Sequence, residues 1–139
     1  MLSRLARNAR PVYNSARLAS YKFDVKGKDL PVRDISSSDP YFTLMLENGQ
    51  QVYKSEVIKQ NLNPTFKTFA LEDSVVGGEG KDLVRVEVKD KDLFNEDDHM
   101  GIGFFKISDL KNGPKIVFLS DEETHQSCGQ LEVVMYESA

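Results

Sequence analysis

Val84-Arg85-Val86-Glu87-Val88 is the stretch whose reading decides the fold. Apolar and charged residues alternate strictly through it. Successive side chains of an extended chain point to opposite faces, so the three valines line one buried face and Arg85 and Glu87 meet solvent. Working outward, the same alternation returns at Leu131, Val133 and Met135 and at Tyr21, Phe23 and Val25. Between these lie Tyr41–Leu46, Val52–Val57, Phe66–Leu71, Gly101–Ile107 and Lys115–Leu119, each short and rich in β-branched or aromatic residues. Asn48-Gly49 falls between two of them, a strong hairpin signal because both residues tolerate positive φ. Gly77, Gly78 and Gly80 mark a flexible connection. Eight short strands in about 115 residues, without a helix of ordinary length, predict an all-β fold, an eight-stranded antiparallel β-sandwich.

The chain has 139 residues, room for one domain that buries roughly two thirds of its unfolded surface. A single cysteine, Cys128, excludes an internal disulfide, and with only two histidines it leaves no plausible zinc cluster. No apolar run approaches the ~20 residues that cross a bilayer. A net charge of -4 argues against nucleic acid as the partner. That charge is unevenly spread. Residues 1–20 hold Arg4, Arg7, Arg10 and Arg17 and no acid, which leaves 14 basic against 22 acidic residues, net -8, in the rest.

This arginine-, serine- and alanine-rich opening has the composition of a mitochondrial presequence. Leu2, Leu5, Ala9, Val12 and Ala16 share one face if helical, although Pro11 limits a continuous helix. The segment lacks the apolar core of a secretory signal. The chain is therefore expected to divide into a basic targeting segment, 1–20, and a folded domain, 21–139. The expected location is the mitochondrion, peripheral to the inner membrane, with a cytoplasmic, membrane-peripheral location as the alternative. A disordered basic arm is the other reading of residues 1–20.

Three segments predicted to lie in loops carry the candidate chemistry: Asp34-Ile-Ser-Ser-Ser-Asp39-Pro40-Tyr41, Asn61-Leu62-Asn63-Pro64-Thr65-Phe66, and Asp90-Lys-Asp92-Leu93-Phe94-Asn95-Glu96-Asp97-Asp98-His-Met-Gly101. In this order and at these separations they resemble the C2 domain family, over about Tyr21 to Tyr136. The resemblance implies an eight-stranded sandwich with three loops meeting at one end. It implies calcium as the cofactor, with Asp34, Asp39, Asp90, Asp92 and Asp98 as ligands and Asn95 as an auxiliary one. It implies membrane contact through Leu93 and Phe94, and through Ile35 in the first loop. The closing Gly129–Tyr136 strand resembles the family's type II connectivity. In one respect the chain departs from the family: its first-loop aspartates stand five apart, where six is the commoner spacing.

Physical chemistry supports the same set. Calcium takes 6 to 8 oxygens and prefers carboxylates. Asp90 and Asp92 point the same way in an extended segment and can chelate together. Five converging carboxylates repel one another when empty, and two calcium ions take that charge from about -5 to about -1, enough for a switch. An EF-hand is excluded, since the positions that need an oxygen ligand and a glutamate, counted from Asp90, are Phe94 and Gly101. Lys54, Lys59 and Lys67 are candidates for phospholipid headgroups, or else scattered surface charges. His99 and His125 have no nucleophile or orienting partner in the sequence pattern, so no catalysis is expected. The expectation is a non-enzymatic, calcium-binding module that docks on anionic phospholipid membrane. The alternative is a structural accessory subunit, an interaction block in a large mitochondrial membrane protein complex.

Overall fold

The structure is a computed structural model that describes residues 20–33 and 37–138. The expected targeting segment therefore lies, apart from Ser20, outside the described residues. So do Asp34 and Ile35.

Eight strands are present among the described residues: β1 Ser20–Lys28, β2 Pro40–Leu46, β3 Gln51–Lys54, β4 Phe69–Glu72, β5 Leu83–Asp90, β6 Asp98–Lys106, β7 Lys115–Ser120 and β8 Ser127–Ser138. Hydrogen bonding joins them in the order β3-β2-β5-β6-β7-β8-β1-β4, all antiparallel. The link between β6 and β7 is the single pair Ile102↔Ser120. There the ribbon of strands folds over, so that β3-β2-β5-β6 faces β7-β8-β1-β4 as the predicted sandwich.

Alternation fills the space between. Val84, Val86 and Val88 are fully buried, as are Phe23, Leu131 and Val133 from the opposite layer. Phe42 of β2 meets the Phe66 ring edge-on at 4.8 Å and the Phe69 ring at 5.9 Å, tying the two layers by aromatic contact. On β6, glycine is required where strand meets strand: a Cβ on Gly103 would stand 2.6 Å from Val117 Cγ1. β8, last in the chain, lies between β7 and β1, in keeping with the type II reading.

Three local departures from the sequence-based strands have identifiable causes. The strand expected over Val52–Val57 ends at Lys54. Ser55 is buried, and its hydroxyl rather than a backbone carbonyl accepts the Phe42 N–H at 2.9 Å, which turns the chain out of the ladder. The strand expected over Phe66–Leu71 is split. Thr65 bridges Lys26 while Phe69 pairs with Phe23, so the Thr65–Phe69 side carries one extra residue, a bulge that leaves only Phe69–Glu72 in regular pairing. A one-turn helix, α1, Ile107–Leu110, follows β6, where the sequence pattern predicts none. Its first turn is capped from afar, the Asp82 carboxylate accepting the Ser108 N–H at 2.8 Å and the Ser108 hydroxyl at 2.7 Å. The Asn48-Gly49 hairpin forms as expected, with only Gly49 at positive φ.

Candidate functional site

Strand register brings the aspartate motifs to one pole. Pro40 at the start of β2 pairs with Asp90 at the end of β5, and Asp90 pairs with Asp98 at the start of β6. The first-loop and third-loop motifs therefore spring from three neighbouring strand ends, where opposed Cα atoms stand about 4.5–5.5 Å apart.

Hydrogen bonds bind the loop bases to one another. Asp90 is fully buried, and its Oδ1 accepts the Asp39 N–H at 2.8 Å. The Lys91 N–H returns to the Asp39 carbonyl at 3.0 Å. Asp39 Oδ1 accepts the Gln60 N–H at 2.8 Å, reaching the second motif, whose Asn63 side chain accepts the Asp29 N–H at 3.0 Å. Ser38, also buried, closes the base of the first loop, accepting the Arg33 N–H at 2.7 Å and donating to the Pro31 carbonyl at 2.9 Å. Arg33 Nε in turn donates to the His99 carbonyl at 3.0 Å, joining the first loop to the third.

In the third loop, Asp92 Oδ1 accepts the Phe94 and Asn95 N–H groups at 2.8 and 3.2 Å, folding the crown into a tight turn. Leu93 and Phe94 stand out from that turn, 82% and 92% exposed. Asn95 and Asp98 are exposed as well. Asp97, which sequence reasoning passed over, points inward. Its Oδ1 accepts the Asp92 N–H at 2.9 Å, its Oδ2 accepts the Tyr41 hydroxyl, and Lys91 Nζ lies 3.8 Å away. Charge and environment shift both partners. The Asp92 N–H first, and the Tyr41 hydroxyl second, hold the Asp97 carboxyl below its ordinary range. Burial, reinforced by the Asp97 carboxylate, pushes the Tyr41 phenol upward.

Asp39, Asp90, Asp92 and Asp98 thus share one pole. Their hard oxygen donors suit calcium in preference to a metal that favours nitrogen or sulfur. Among the described residues, however, no three histidine, cysteine, aspartate or glutamate side chains form a group able to hold a metal ion. Of the lysines, Lys59 precedes Gln60, whose N–H donates to the Asp39 carboxylate. Lys54, on β3, places its ammonium 5.3 Å from the centroid of the Tyr41 ring, while Lys59 and Lys67 are exposed in the connections beyond. Glu56 intervenes, accepting the Lys67 N–H at 2.7 Å.

A sandwich with this strand order, carrying aspartates on loops at one pole, is a C2 domain. Comparison with protein families matches residues 24–126 to the C2 domain, and the chain belongs to that family. Among curated proteins it is 40% identical over 85 residues to Protein C2-DOMAIN ABA-RELATED 4 of Arabidopsis thaliana, 59% of this chain and 44% of that one. It is 37% identical over 84 residues to Copine-D of Dictyostelium discoideum, 60% of this chain and 16% of that one. The chain spans between 6% and 49% of the length of curated relatives it matches. Among solved structures, BON1-C2B superposes with a TM-score of 0.66 at 23% identity, over 88% of this chain and 93% of that one. A C2 domain of plant Extended Synaptotagmin 1 gives 0.64 at 16%, over 88% and 96%. At these identities the structural likeness establishes the fold.

Proposed function

We propose that this protein is a non-enzymatic module that takes up calcium through Asp34, Asp39, Asp90, Asp92 and Asp98, assisted by Asn95, and docks on anionic phospholipid. The observation that carries the reading is the bareness of Leu93 and Phe94, 82% and 92% exposed, at the crown of a loop flanked by Asp90, Asp92 and Asp98. A large apolar pair is a costly ornament on a loop that faces only water, and a suitable one for a loop that enters a membrane interface.

The chain's own residues supply the rest. Asp90 is tied to the Asp39 amide, so the first and third loops approach the ion as a unit. Calcium, when bound, supplies the positive charge that lets this acidic pole approach an anionic surface. Leu93 and Phe94, with Ile35, then enter the interface, while Lys54, Lys59 and Lys67 remain available to headgroups on the flank. The basic composition of residues 1–20 points to delivery to the mitochondrion, which a reporter carrying those residues tests; a reporter left in the cytosol overturns it.

The test of docking is sedimentation of the full chain with phosphatidylserine-containing vesicles, in calcium or in chelator. Binding in calcium alone, abolished by Asp90→Asn with Asp92→Asn, is the expected result. Equal sedimentation in both buffers overturns the reading.

A further inference from the structure

Asp97 lies in the third loop with its side chain only 16% exposed, although its neighbours Glu96 and Asp98 are exposed. Its two oxygens face in different directions. One accepts the Asp92 N–H and so closes the loop from 92 to 97 at its base. The other accepts the hydroxyl of Tyr41, a buried residue of β2 that pairs with Lys89 of β5. The crown, itself folded on Asp92 Oδ1, is therefore bolted to the rigid sandwich through one phenol and one carboxylate.

We propose that Tyr41, acting through Asp97, is the positioning residue of the ion loop: it fixes the backbone of Asp92 before calcium arrives. The role rests on the calcium reading given above. A loop that is already ordered loses less conformational freedom on binding, and that saving appears as affinity. Groups that orient metal ligands from behind are worth about 10–100-fold in metal affinity. Tyr41 supplies one of the two hydrogen bonds that seat Asp97, so its hydroxyl falls at the low end, about tenfold.

Tyr41→Phe isolates this effect because it alters no charge. The carboxylates keep their full attraction for the ion, and the ring beside Lys54 is retained. Asp97→Asn is the second variant. Its amide oxygen can still accept the Asp92 N–H, but the charge that draws the Tyr41 hydroxyl is gone.

Calorimetric titration of the full chain with calcium chloride, paired with melting in chelator, is the measurement. The expected result is calcium affinity about tenfold weaker in Tyr41→Phe and weaker again in Asp97→Asn, with both variants folded in chelator. A purely structural tyrosine would lower the melting temperature and leave affinity unchanged. Unchanged or tightened affinity in Tyr41→Phe, with the parent chain titrating normally, overturns the inference alone, whatever Asp97→Asn does. No calcium uptake by the parent chain overturns the reading beneath it, and this inference with it.

Discussion

Replacing Leu93 and Phe94 together by alanine should separate docking from stability. Both side chains are almost fully exposed, so nearly all of their apolar surface is still available for transfer into a membrane interface. Complete burial of a leucine or phenylalanine side chain contributes about 1.5–3 kcal/mol. An interfacial site is shallower than a core, and alanine retains one methyl group. For the pair, a loss of about 2–4 kcal/mol is the reasonable range, or about 30- to 1,000-fold in vesicle partitioning. The same exposure predicts that unfolding free energy in chelator changes by no more than about 0.5 kcal/mol, since the substitutions remove no core contact. Vesicle sedimentation in calcium reads the first quantity and urea unfolding the second. The chain contains no tryptophan, so Phe94→Trp gives an emission signal without background, expected to shift to the blue when calcium and anionic vesicles are both present. Partitioning of the double variant within twofold of the parent, with tryptophan emission unmoved by vesicles, refutes insertion.

Two further outcomes follow from the sandwich itself. Gly129 of β8 has φ +84°, and a Cβ there would press on the Asp29 carbonyl oxygen and stand 2.6 Å from that of Lys28. Gly129→Ala combines left-handed strain with a backbone clash and should cost about 2–4 kcal/mol, read by urea unfolding. Tyr21 is buried and donates to Asp73 Oδ1 at 3.0 Å. Burial first, and the Asp73 carboxylate second, raise its phenol above the ordinary value of 10.0. The folded state then holds the proton more tightly than the unfolded chain, so stability present below pH 10 is lost as pH rises above it. Melting temperatures above pH 10 should fall more steeply for the parent than for Tyr21→Phe; parallel curves would contradict the assignment.

The architecture was legible because alternation is a local property. Val84, Val86 and Val88 announced a half-buried strand, and their burial is complete. What escaped depended on partners distant in sequence. The end of β3 is set by the Ser55 hydroxyl bonding to Phe42, and α1 is capped by Asp82, 26 residues away. The bulge between Thr65 and Phe69 exists only relative to β1. At the site, motif spacing located the loops and brought Asp39, Asp90 and Asp98 to one pole. It could not distinguish the two members of the Asp97-Asp98 doublet by orientation. Neighbouring residues on an extended chain face opposite ways, and only the position of Tyr41 shows which one turns inward.

The place of β8 governs how the molecule can be assembled during synthesis. The layer β3-β2-β5-β6 has all its members once Lys106 has left the ribosome. β1 and β7 lack their common neighbour until residues 127–138 emerge, because β8 alone joins β7 to β1, while β4 pairs with β1 only. Until then β1 can pair with β4 on one side, while its other edge, Ser20 to Lys28, has no strand beside it. A nascent chain in this state presents an unpaired strand edge, the feature through which partly folded β-proteins join wrongly to one another.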